Sequence, residues 1–133
     1  LRKNNLKNRV IFLGKTNEVD EILCSSDLFL LPSEKESFGL AALEAMALKV
    51  PVISTNIGGL SELNINGNSG YTSDIGDIDS MASNAVKILS DKSLKKKYSS
   101  QAFENARKYD IKKIIPLYES VYKEALNIYQ SGL

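Results

Sequence analysis

The residues best placed to do chemistry lie between positions 33 and 47. They read Ser33-Glu34-Lys35-Glu36-Ser37-Phe38-Gly39-Leu40, then Ala41-Ala42-Leu43-Glu44-Ala45-Met46-Ala47. A polar, turn-like stretch leads into a run of strong helix formers. The amides of Phe38, Gly39 and Leu40 would then point out of a helix start. Unpaired N–H groups and the helix dipole favour an anion there, such as a phosphate. Gly39 has no Cβ, so a ligand can approach its backbone closely. Glu36 and Glu44 stand eight positions apart. On one continuous helix they would differ by about 80° in rotation. With Glu36 in the loop and Glu44 on the helix, both can border one cleft. Carboxylates would not hold the phosphate, but they suit hydroxyls on either side of it, because each accepts strong hydrogen bonds from two of them. By charge alone, the simpler reading is a dipole-favoured first-turn acid and a solvated helix residue. The neighbours Leu43, Ala45, Met46 and Ala47 shift that balance, since a Glu buried among them needs a partner.

The rest of the composition removes other chemistries. The chain has no His and one Cys. That excludes Ser-His-Asp and Cys-His catalysis, any His-containing metal site and an intrachain disulfide. Cys24 lies in the apolar-periodic stretch Val19–Cys24 and reads as a small buried side chain. A reducing cytoplasm fits this cysteine usage. Seventeen Lys+Arg against sixteen Asp+Glu give a net charge of +1. Binders of nucleic acid or membrane surfaces carry a basic excess, so neither partner is expected. No apolar run reaches the ~18 residues of a transmembrane span. The start, Leu1-Arg2-Lys3-Asn4-Asn5, has neither an initiator Met nor an apolar stretch behind it. It is expected to lie within a longer protein and not in a signal peptide. Lys95-Lys96-Lys97 reads as a solvated helix face. Asp74, Asp77 and Asp79 fail the calcium-loop spacing, and Asp77 reads as a helix N-cap. Gly58-Gly59 alone reads as a helix-start turn.

The elements that must position these groups follow from periodicity. At 133 residues and 43% apolar composition, the chain makes one domain with a real core. Arg9–Gly14 and Leu28–Pro32 are apolar runs without alternation, as parallel strands covered on both faces require. Pro51–Ser54 is a third strand, and Tyr71-Thr72 a short edge strand. Helices are expected from an Asn17 cap to about Ser26, over Leu40–Leu48, over Leu60–Leu63, and from Asp77 onward. The last of these carries the stripe Ile78, Met81, Ala82, Ala85, Val86, Leu89. Two more helices follow, about Ser93–Lys108 and Ile111–Ile128. Strands alternating with helices predict an α/β fold, a Rossmann-like parallel sheet with helices on both faces. Ligands of such sheets sit beyond the carboxyl ends of the strands, which selects the loops Gly14–Asn17, Pro32–Gly39 and Thr55–Gly59.

Glu36-x7-Glu44 with its intervening residues resembles the E-x7-E signature of retaining glycosyltransferases of the GT-B fold, family 4. The flanking stretches agree in order: Phe12-Leu13-Gly14, Ser26–Ser33, Pro51-Val52-Ile53, Gly58-Gly59-x2-Glu62 and Gly67-x2-Gly70-Tyr71. The stretch Ser33–Leu40 looks most like the members of the bacillithiol pathway that transfer N-acetylglucosamine from UDP to L-malate. The resemblance implies the C-terminal, donor-binding half of a GT-B enzyme, without its first strand-helix units. About 1–110 would be the α/β core, and about 111–133 a terminal helix that packs on an N-terminal acceptor domain. Tyr118, Tyr122 and Tyr129 could serve that interface or simply pack on this domain. Carried over residue by residue, Glu36 would bind donor-sugar hydroxyls. Ser37, Phe38, Gly39 and Leu40 would face the sugar and phosphate. Glu44 would bind the ribose, and Gly14 and Lys15 would border the base. The family needs no metal or other cofactor, its donor is a nucleotide-sugar such as a UDP-sugar, and the leaving diphosphate assists the incoming hydroxyl on the same face. Its cationic diphosphate clamp would lie upstream of Leu1, so this chain alone is expected to be inactive. A peripheral membrane contact would come only through the full enzyme. The alternative is an α/β interaction module that no longer binds nucleotide and pairs with another copy through an exposed sheet edge.

Overall fold

The computed structural model describes Leu6 and residues 8–130. The expectation for Leu1–Asn5 lies outside them. The chain forms α1 (Val19–Cys24), β1 (Phe29–Leu31), α2 (Leu40–Ala47), β2 (Val52–Thr55), α3 (Leu60–Leu63), β3 (Gly70–Ser73), α4 (Ile78–Ser90) and α5 (Lys92–Ala106). A 3₁₀ turn at Arg107–Tyr109 leads into α6 (Ile111–Gln130). The three strands make a parallel sheet in the order β1-β2-β3, with Phe29 opposite Val52 and Val52 opposite Gly70.

Every residue of the central strand β2 is buried, because both faces of the sheet are covered. On one face Val52 packs with Ala42, Ala45 and Met46 of α2, Leu60 and Leu63 of α3, and Ala102 and Ala106 of α5. On the other, Ile53 meets Ile88 of α4 and Tyr98 of α5, with Tyr71 and Met81 at the margin. The α/β fold expected from the sequence is thus present. Buried Asn64 ties β3 to β2. Its amide nitrogen lies 3.2 Å from the Val52 carbonyl, 3.1 Å from Ser54 Oγ and 3.0 Å from the Tyr71 carbonyl, and its Oδ1 accepts from Ser69 Oγ. Lys95 pairs with Asp27, joining α5 to the segment before β1. The expected Lys95–Lys97 face is therefore not purely solvated.

Several expectations are corrected. Arg9–Gly14 forms no strand, and Ile11 and Phe12 are 82% and 81% exposed. A strand needs a neighbour for its backbone groups, and β1 pairs only with β2 among the described residues. Asn17 does not cap α1; the helix follows Glu18, whose amide donates to Thr16 Oγ1. Cys24 is exposed, because so short a helix buries Leu23 alone. Asp77 does cap α4, accepting from the Ser80 amide at 3.0 Å. The stripe on α4 is rotated from expectation, with Ile88 as its buried residue and Ile78, Val86 and Leu89 exposed. Helix α6 buries none of its residues, and Tyr118, Tyr122 and Tyr129 are exposed.

Candidate functional site

Parallel strands send their carboxyl ends to one side, so the loops after β1 and β2 meet there. Two hydrogen bonds join them. Thr55 Oγ1 donates to the Ser33 carbonyl at 2.6 Å, and the Gly59 amide donates to the Ser37 carbonyl at 3.0 Å. Contact is close enough to dictate residue types. A Cβ on Gly58 (φ +47°) would lie 2.1 Å from the Glu36 carbonyl oxygen. One on Gly59 would lie 2.6 Å from the Ser37 oxygen and 2.8 Å from Phe38 Cα. The Gly58-Gly59 pair, read from sequence as a plain turn, is what lets the second loop press against the backbone of the first.

That first loop ends at Gly39, which adopts φ +93° and caps α2 without a side chain. A Cβ there would meet Leu60 Cδ2 at 2.4 Å. The first helical hydrogen bond is donated by Leu43 to the Gly39 carbonyl. The amides of Leu40, Ala41 and Ala42 therefore find no acceptor among the described residues, as a helix start requires. Such amides, at the positive end of the helix dipole, can bind an anion.

The structure brings Glu36, Ser37, Phe38, Gly39 and Leu40 together at this junction. Glu36 is half-buried, and its Oε1 accepts from the Ser37 amide at 3.1 Å. Its remaining acceptor capacity suits hydroxyl donors. The Phe38 ring lies edge-on to Tyr109, with centroids 5.3 Å apart. Leu40 is exposed. Glu44 is exposed as well, which corrects the expectation of a buried acid. Ala42, Ala45 and Met46 turn inward, and Glu44 shares the outer stripe with Leu40 one turn away. Gly14 and Lys15 lie on the exposed segment before α1. No hydrogen bond or ion pair among the described residues joins them to the junction. Sequence reasoning missed Tyr109, whose position beyond α5 gives no local signal.

Two hollows flank the region. An apolar one of about 420 Å³ lies between Phe38, Leu40, Leu43, Tyr109 and α6. A polar one of about 430 Å³ lies past the ends of β2 and β3, lined by Asn56, Ser73, Asp74 and Asp77 among others. Neither includes Glu36 or Glu44. No group of three or more metal-ligating acids or thiols occurs among the described residues.

Residues 1–108 match the family model described as "Glycosyl transferases group 1". Over 128 residues the chain is 41% identical to an N-acetyl-alpha-D-glucosaminyl L-malate synthase of Bacillus anthracis, covering 96% of this chain and 34% of that protein. Among solved structures, a sucrose-phosphate synthase from Thermosynechococcus elongatus superposes with a TM-score of 0.87 at 27% identity, over 96% of this chain and 33% of that one. The C-terminal domain of a group 1 family protein, LpcC from Francisella tularensis, gives 0.73 at 29% identity, over 83% of this chain and 58% of that one. The chain thus spans about a third of the length of the first two proteins.

Proposed function

The chain belongs to the group 1 glycosyl transferases, and on that premise we propose that it forms the donor-binding half of a retaining enzyme that moves N-acetylglucosamine from UDP-N-acetylglucosamine to L-malate. The observation that supports this most is the junction itself. The amides at the start of α2 are unpaired among the described residues, and the Glu36 carboxylate stands in the loop before them, bonded to the Ser37 amide. In this reading those amides, with those of Phe38 and Gly39, take the diphosphate and sugar. Glu36 accepts from the hydroxyls of the transferred sugar. Glu44, on the same outer stripe as Leu40, takes the ribose hydroxyls, while Gly14 and Lys15 border the base. The 41% identity to the malate-accepting protein supports the choice of donor and acceptor. The acceptor site belongs to an N-terminal domain and the cationic clamp for the diphosphate lies upstream of Leu1, so in this reading the chain alone turns over nothing. No metal is needed.

A hydrogen bond to a charged acceptor contributes about 1.5–3 kcal/mol. Glu36→Gln in the full-length enzyme should therefore lower turnover by about 10- to 100-fold. Unchanged turnover removes Glu36 from the site. A second reading, a nucleotide-free interaction module, is favoured by the exposed apolar residues at Ile11–Leu13 and along α6. Glycosyl transfer by the 133-residue chain would contradict both readings.

A further inference from the structure

We propose that Tyr109 is a positioning residue for the donor site, aligning the amides at the start of α2 through the ring of Phe38; this rests on the reading of that junction as the donor site. The loop after β1 is fixed at its start by Thr55 and in its middle by Gly59. Its last side chain before the Gly39 cap is Phe38. The Phe38 backbone lies against Gly59, and its ring meets Tyr109 edge-on at 5.3 Å and 70°. Such a pair has a preferred geometry and resists sliding.

Tyr109 is itself held from both sides. Before it, buried Asn105 donates its side-chain amide to the Leu63 carbonyl, and Ala106 packs in the main core. After it, Asp110 accepts from the Lys112 amide at 2.9 Å, and Lys113 Nζ donates to the Arg107 carbonyl at 2.8 Å. Apolar hollows of about 420 and 250 Å³ adjoin the ring, one against Phe38 and Leu40, the other against Leu43 and Phe103. Open space of the first hollow lies beside the Phe38 ring, and Tyr109 is its aromatic partner among the described residues. The Tyr109 hydroxyl has no hydrogen-bond partner among the described residues. The ring is therefore the working part, and phenylalanine should replace it.

The test uses the full-length enzyme with Tyr109→Leu, Tyr109→Phe and, as a control, Phe103→Leu. Phe103 is a similarly half-buried aromatic whose ring is covered by Lys49 and not by Phe38. Tyr109→Leu should raise the KM for the UDP-sugar about three- to tenfold and leave the acceptor KM unchanged. Tyr109→Phe should stay within about twofold of wild type, and Phe103→Leu should leave the donor KM unaltered. A ligand-free measurement runs beside it. Hydrogen exchange of the Gly59 amide, bonded to the Ser37 carbonyl, should quicken about three- to tenfold in Tyr109→Leu while that of Ile53 does not. Equal quickening of Gly59 exchange by Tyr109→Leu and Phe103→Leu, or unchanged Gly59 exchange, overturns the proposal. Faster Gly59 exchange with an unaltered donor KM upholds the alignment and instead refutes the junction as the donor site.

Discussion

Gly59→Ala isolates the contact between the two loops, because the backbone already tolerates alanine. Gly59 has φ −66° and ψ −13°, an ordinary helical conformation. The new Cβ would nonetheless stand 2.6 Å from the Ser37 oxygen and 2.8 Å from Phe38 Cα, both backbone atoms that no rotamer change can move. Reaching the 3.4 Å of ordinary contact requires the first loop to retreat by about 0.8 Å. Overpacking of this kind costs ~1–3 kcal/mol. Weakening the Gly59-to-Ser37 hydrogen bond adds ~0.5–1.5 kcal/mol. Restricting the unfolded chain gives back ~0.4–1 kcal/mol. The net is a loss of about 1–3 kcal/mol, read as a lower urea midpoint at constant slope. The functional effect should be larger than the stability effect, since a misplacement near 1 Å can cost about 100-fold in rate. Gly67→Ala is the comparison. Its φ is +74° but its Cβ would meet nothing within 4 Å, so it carries backbone strain without the clash. If Gly59→Ala matched wild type in both midpoint and nucleotide affinity, the close approach would not be what holds the loop, and the reasoning would fail.

Asn64→Leu removes the donor to the Val52 and Tyr71 carbonyls and the acceptor for Ser69, all at a buried position. It should lower the unfolding free energy by about 2–4 kcal/mol, checked by urea titration. Burial, with the hydrogen bond that the neutral Tyr98 hydroxyl gives to Tyr71 added, pushes that hydroxyl up to about 12 from 10.0. The unfolded chain ionises first, so stability held below pH 10 falls as the pH rises from 10 towards 12. Unfolding midpoints across that range should drop in wild type and flatten in Tyr98→Phe. Hydrogen bonds from the Ser80 side chain and amide hold the Asp77 carboxyl below its ordinary value. Its capping of α4 is therefore intact at neutral pH and lost as the pH falls through that lowered value. Faster amide exchange at Ser80 in acid, absent from Asp77→Asn, would show it.

Much of the fold is legible in the sequence because burial on both faces leaves a plain mark. Phe29–Leu31 and Val52–Thr55 are unbroken by charge, and each is a strand. The same mark misleads at Ile11–Leu13. Apolar composition says that a segment can be covered, but not what covers it, and here no strand among the described residues lies alongside. At Glu44 the sequence misleads by averaging. Its neighbours are apolar, yet α2 buries only Ala42, Ala45 and Met46, and Glu44 falls on the opposite side of the helical turn. The loop-to-helix junction was readable from Gly39 and the helix formers after it. Its supports were not, since the packing of Gly58-Gly59 and Tyr109 against it joins positions about 20 and 70 residues apart. Helix α6 shows its apolar side in the sequence, and that side is exposed in the structure.

The central claim is that the start of α2 and Glu36 receive a nucleotide-sugar. Titrating the isotope-labelled chain with UDP-N-acetylglucosamine and following backbone amide shifts tests it directly. The account predicts saturable shifts concentrated at residues 36–42, weakened when Glu44 is changed to alanine. Saturable shifts confined to the polar hollow around Asn56 and Asp74, or no shift at millimolar ligand, would contradict it.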